Sequence, residues 1–112
     1  MPTLAAGAFN ADTFKELIAE QLGARLNVTF RAMFGGWGLY RGAVFFGIIF
    51  RGQLYFKTDA QSRRNYEQHG MLPFQPNEQQ TLKNYYEVPA SIVEDAPQLV
   101  RWAERALACQ PR

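Results

Sequence analysis

Arg31-Ala-Met-Phe-Gly-Gly-Trp-Gly-Leu-Tyr40, followed closely by Val44-Phe-Phe-Gly-Ile-Ile-Phe50, is the stretch that decides the fold. From Val28 the apolar period is two: Val28, Phe30, Ala32 and Phe34 share one side, and Thr29, Arg31 and Met33 the other. Gly35-Gly36 tolerates positive φ and is read as a turn, with Gly38 a bulge or close-approach site in the strand that follows. Residues 43–50 are apolar on both faces, so this third strand is expected at the centre of the sheet. A second face, covered in part, is expected with it, and another copy of the chain in a symmetric dimer is one way to cover it. Arg51-Gly52 turns the chain into a fourth strand over 53–57, and the run reads as an antiparallel meander.

Outward from this meander, the pattern changes to helical. Phe14, Leu17, Ile18 and Leu22 recur at three- and four-residue steps, with Thr13 and Glu16 at capping-box spacing and Asp12 as the rival cap. Gly23 or the residues up to Leu26 end this helix. Asp59 caps a polar helix over 60–69 that Gly70 closes. Residues 71–80, with Pro73 and Pro76, read as a loop, and 81–88 as a fifth strand stopped by Pro89. A helical turn over 90–94 precedes a last helix, N-capped by Asp95 with Pro97 in its first turn. The expected fold is α+β: two layers, about five antiparallel strands, in the order α-β-β-β-β-α-β-α.

The chain has 112 residues, 47% of them hydrophobic, which fits one domain over 1–112 with a flexible start over 1–11. One cysteine, Cys109, excludes an internal disulfide. The start lacks a secretory pattern, and no apolar run reaches the length of a bilayer span, so no membrane partner is expected. The expectation is a cytoplasmic, bacterial protein. Between residues 25 and 64 six arginines and one lysine face a single acid, Asp59, whereas residues 66–104 carry six acids against Lys83 and Arg101. Because the basic residues are spaced along strands, the two halves are expected to neutralise each other once folded.

The candidate chemistry is sparse. Arg31 stands first: its plain reading is a carboxylate partner or a solvent-facing position. Its functional reading pairs it with Lys57 as an anion-binding edge lined by Trp37 or Tyr86. Gly35, Gly36 and Gly38 are turn glycines, since no phosphate-loop pattern or following helix accompanies them. His69 and Cys109 lack the neighbours a catalytic site needs, and Glu94-Asp95 do not face each other on a helix. No catalytic residue, metal or cofactor is expected.

The ten-residue run Arg31–Tyr40, with Phe46-Gly47, Leu54-Tyr-Phe-Lys-Thr-Asp59, Pro73-Phe74 and Tyr85-Tyr-Glu-Val-Pro89, resembles the N-terminal domain of the TfoX/Sxy family over residues 12–106. The resemblance implies a two-layer α+β fold similar to secretion chaperones. It also implies a role in regulating competence for DNA uptake, in which full-length members work with the cyclic-AMP receptor protein at certain promoters. The expectation is a stand-alone domain without the second, helical domain of that pattern. The leading expectation is a non-enzymatic regulatory or adaptor domain that acts by protein–protein contact and self-associates. A nucleic-acid binder using sheet aromatics with Arg and Lys is the second reading, and a small anionic ligand the third.

Overall fold

The computed structural model describes residues 11–33 and 35–109. The elements are α1 (Ala11–Leu26), β1 (Thr29–Met33), β2 (Gly36–Arg41), β3 (Val44–Phe50), β4 (Gln53–Lys57), α2 (Ala60–Gln68), β5 (Pro73–Asn77), β6 (Gln80–Glu87), α3 (Ala90–Val93) and α4 (Ala96–Leu107). All strands are antiparallel to their neighbours in one sheet of order β1-β2-β3-β4-β6-β5. The fold is α+β, as the periodicities required, with six strands where about five were expected. The expected flexible start lies, apart from Ala11, outside the described residues, and so does Phe34.

Two local expectations change. The segment 71–80 is not a loop, because Pro73–Asn77 pairs with β6. It occupies the sheet edge, where a missing proline N–H costs no ladder bond, so Pro73 and Pro76 are compatible with a strand. At the start of α1, Asp12 and Thr13 lie inside the helix instead of capping it. At its end, Asn27 takes φ 52° and its N–H returns to the Gly23 carbonyl at 2.9 Å, so the helix runs through Gly23 and stops at an asparagine. The N-caps of α2 and α4 follow the sequence. Asp59 accepts from the Ser62 N–H at 2.8 Å, and Asp95 from the Gln98 N–H at 3.2 Å.

The helices line one face of the sheet. Phe14, Ile18, Leu22 and Leu26 of α1 meet Leu99, Val100, Ala103 and Ala106 of α4 over Leu39, Phe46, Ile49, Leu54 and Phe56 of the sheet. Each fully buried aromatic or aliphatic side chain here contributes about 1.5–3 kcal/mol. The second face has its own small core of Ile48, Tyr55 and Phe74. Its cover comes from the chain itself: Phe74 of β5 packs its ring 4.6 Å from Tyr55 and 5.3 Å from Phe50. The two-sided apolar third strand is therefore central and covered on both sides.

The β1–β2 turn uses Gly35, at φ 78°, whereas Gly36 and Gly38 already belong to β2. Gly36 is buried, and a Cβ added there would collide with the carbonyl oxygen of Ile49 on β3. Its role is close approach of two backbones. Gly36→Ala should therefore destabilise the fold by about 2 kcal/mol or more, read as a lower midpoint of urea unfolding. An unchanged midpoint would show that β3 yields without cost.

Candidate functional site

The sheet register sorts the sequence candidates onto opposite faces. Trp37 lies opposite Ile49 and packs against the helix-side core, with the Lys15 ammonium 4.5 Å from its ring. Tyr86 pairs with Phe56, is 8% exposed, and points its hydroxyl at Glu67 Oε2, 3.5 Å away. Both therefore belong to the helix side. Arg31 lies opposite Gly38, and Lys57 opposite Tyr85, which places both cations on the second face. Three strand spacings, roughly 14 Å of sheet, separate their strands. The four residues do not converge on one anion pocket.

From Arg31 a row of rings crosses the second face, from β2 through β3 to β6. The Arg31 guanidinium sits 4.7 Å from the Tyr40 ring centroid. Tyr40 and Phe45 rings are 5.0 Å apart, and Phe45 and Tyr85 rings 5.5 Å apart, tilted by 32° and 37°. Such offset, tilted pairs satisfy the ring quadrupoles, and the cation lies over a negative π face. Tyr40, Phe45, Lys57 and Tyr85 are half-buried and Arg31 is exposed. The phenol of Tyr85 is pushed up to about 12, chiefly by burial and then by its neighbour Tyr40, so it stays neutral at ordinary pH.

Two backbone features build this row. Leu39 faces Gly47, but the next residue, Tyr40, faces Phe45, so Phe46 is the extra residue of a β-bulge. The bulge puts Phe46 in the helix-side core and Phe45 on the second face. Gly38 supplies the floor. A Cβ there would lie 2.6 Å from Met33 Sδ, 3.1 Å from Phe45 Cε1 and 3.2 Å from Tyr40 Cε1, so only a missing side chain lets these groups lean together. The sequence marked Gly38 as a bulge or close-approach site; it is the latter, and the bulge lies at Phe46. The sequence held no signal for the row itself, because the bulge and the register are long-range properties.

A second cluster joins α2 to the end of α4. Arg105 Nη2 donates to both carboxylate oxygens of Asp59 at 3.0 Å, the one ion pair among the described residues. Beside it Cys109, 3% exposed, contacts the Arg105 carbonyl at 3.4 Å and the Lys57 carbonyl at 3.7 Å. Burial pushes this thiol up, which disfavours the nucleophilic thiolate. Ser62, Asn65, Tyr66, Arg101, Trp102 and Arg105 line a shallow cleft of about 60 Å³, room for little more than water. His69 bonds the Asn65 carbonyl through Nδ1 at 2.8 Å and meets the Trp102 ring edge-on, 5.6 Å between centroids. The cluster is a clamp between helices. Sequence reading found the Asp59 cap but not Arg105, which lies 46 residues away.

The clamp has a pH signature. The Ser62 backbone N–H, and then Arg105, hold the Asp59 carboxyl down at about 2, below its ordinary 3.8. A carboxyl depressed in the folded state stabilises above its unfolded value and loses that contribution as protons bind. The clamp's share is thus present above about pH 4 and lost between there and about pH 2. The side chains of Arg105 and Asp59 are 40% and 42% exposed, so solvent screens the pair. Asp59→Asn should cost about 1 kcal/mol at pH 7 and flatten the acid limb of stability below pH 4. Chemical denaturation across pH checks this; an acid limb identical to wild type would remove the clamp from the account.

No helix of the described residues is long and apolar enough to cross a membrane, and no three His, Cys, Asp or Glu among them gather to hold a metal ion. Comparison with protein families matches residues 20–110 to the TfoX N-terminal domain. No curated protein matches the chain.

Proposed function

The chain belongs to the TfoX N-terminal domain family, and from that premise we propose that it is a non-enzymatic regulatory adaptor of a bacterial cytoplasm. Its role is linked to the control of competence and transcription through contact with a protein partner. Family membership supports a regulatory domain in general. The observation that carries the contact reading is the β1 edge. Of the two sheet edges, β5 is blunted by Pro73 and Pro76, whereas β1 contains no proline and pairs only with β2. An unblunted edge strand offers outward N–H and C=O groups to an added strand.

Arg31, exposed at the middle of that edge and stacked on Tyr40, gives the surface the Arg–Tyr character of interface hot spots. The partner chemistry it favours is an extended segment with a carboxylate opposite Arg31. A second copy of the chain, pairing about Arg31, would set two guanidiniums side by side, so self-association by this edge requires a shifted register.

The test places a photo-crosslinking amino acid at Thr29 or Ala32 in the host cell, with Gln98 on α4 as the control position. Mass spectrometry should recover one protein, from the edge positions alone, and Arg31→Glu should reduce its yield about tenfold. Light scattering over a concentration series tells whether that protein is the chain itself. Equal recovery from Gln98, or none from β1, removes the edge-contact reading.

A further inference from the structure

We propose that the cleft between α2 and α4 is a binding site for one small oxyanion, a phosphate or carboxylate group. Two independent observations meet there. The first is an unused donor. Tyr66 is 3% exposed, yet its hydroxyl has no hydrogen-bond partner among the described residues. Arg63 Nε is the one unpartnered side-chain atom among them that is sealed from solvent, so the Tyr66 hydroxyl keeps some accessible surface. The cleft that Tyr66 lines is where that surface opens. Burial pushes the Tyr66 phenol up, Cys109 adds to the rise and Arg105 opposes it. The hydroxyl therefore lies within electrostatic reach of Arg105 and stays protonated, as a donor.

The second observation is positive charge that the fold does not compensate. Arg101 and Arg105 stand four residues apart on α4, on one face of the helix, and both line the cleft. Arg105–Asp59 is the one ion pair among the described residues, so Arg101 has none. The nearby acids are engaged. Asp59 accepts from Arg105 Nη2, and Asp95, although it feels Arg101, accepts from the Gln98 N–H and Nε2 at 3.2 and 3.0 Å. No carboxylate is among the described residues that line the cleft.

These two features select the occupant. A buried hydroxyl without a partner is costly, and a water molecule in the cleft would relieve that cost. Water would leave the charge of Arg101 unmatched. An oxyanion answers both, because it accepts from the hydroxyl and takes a charge-assisted bond from a guanidinium. Size limits the choice further. The cleft holds about 60 Å³, far below the roughly 300–1,000 Å³ of ordinary small-molecule pockets, so it excludes a nucleotide and admits a single group. Arg105 is tied to Asp59, with Nη1 3.6 Å from Cys109 Sγ, and forms a fixed wall. Arg101 is exposed and carries no such tie. The site takes an ion between helices, not a strand at β1, so it goes beyond the strand-addition reading and does not depend on it.

The experiment titrates the full chain with inorganic phosphate and, separately, with acetate, against chloride at matched ionic strength. The readout is the NMR signal of the Trp102 indole N–H, since Trp102 borders the cleft and Trp37, the other tryptophan, stands on β2. The Trp102 signal should shift saturably, with a dissociation constant of about 1–10 mM for the tighter ion, while the Trp37 signal stays in place. The tighter ion names the group that the site prefers, and saturable binding of either supports the site. Arg101→Gln should weaken binding about tenfold, and Tyr66→Phe about fivefold. Arg41→Gln, which removes an exposed cation from β2, should leave affinity unchanged.

Tyr66→Phe also separates a ligand role from a structural one. Its hydroxyl has no partner within the protein to lose, so in chloride the urea midpoint of this variant should equal or exceed that of wild type. Circular dichroism establishes that each variant is folded. No saturable Trp102 shift with either ion, undiminished binding by folded Arg101→Gln, an equal loss from Arg41→Gln, or a lowered midpoint for Tyr66→Phe in chloride would overturn the proposal. The photo-crosslinking experiment at β1 reads protein contact alone, so either reading can fail without the other.

Discussion

The rest of the structure depends on the burial of both faces of β3. Phe46 and Ile49 enter the helix-side core, while Ile48 enters the smaller core on the other face. A strand that is apolar on both sides cannot lie at the surface of a two-layer fold. The helices satisfy one side. The other side demands cover, and the chain supplies it by extending the sheet beyond β4 and bringing Phe74 against Tyr55 and Phe50. The strand order β4-β6-β5 follows from that need as much as from ladder hydrogen bonding.

Glycines set how closely β3 can be approached. Gly36 lets β2 come against the Ile49 carbonyl, and Gly38 leaves space that Met33, Tyr40 and Phe45 fill from above. The glycine-rich stretch from Gly36 onward is thus part of the sheet. The ring row follows from the same packing: because Gly38 has no side chain, neighbouring rings meet over it and Arg31 stacks on the nearest. Stability and surface chemistry share one cause here.

Much of the architecture was legible from the chain. The steps Phe14–Ile18–Leu22 and Leu99–Ala103–Ala106 located the two long helices and their buried faces. Asp59 and Asp95 announced helix starts, and Arg51-Gly52, both at positive φ, announced the β3–β4 turn. The miss at Pro73–Asn77 had a physical reason: two prolines argue against a central strand but not against an edge, and edge position is invisible locally. The candidate site was less legible. Arg31 was found as a residue, but its companion was expected to be Lys57, with Trp37 or Tyr86 lining the same place, and it is Tyr40 that it touches.

The sequence by itself determined the elements other than β5, the hairpin connections from β1 to β4 and the apolar faces, because those depend on residues within a few positions of one another. The tertiary structure decided which strand lies beside β4, which face each candidate occupies, and that Phe46 bulges so that Phe45 joins Tyr40 and Tyr85. It also decided that Arg105 clamps Asp59. These outcomes rest on contacts between distant segments, where several pairings satisfy the same local pattern and only the simultaneous covering of both faces of β3 selects among them.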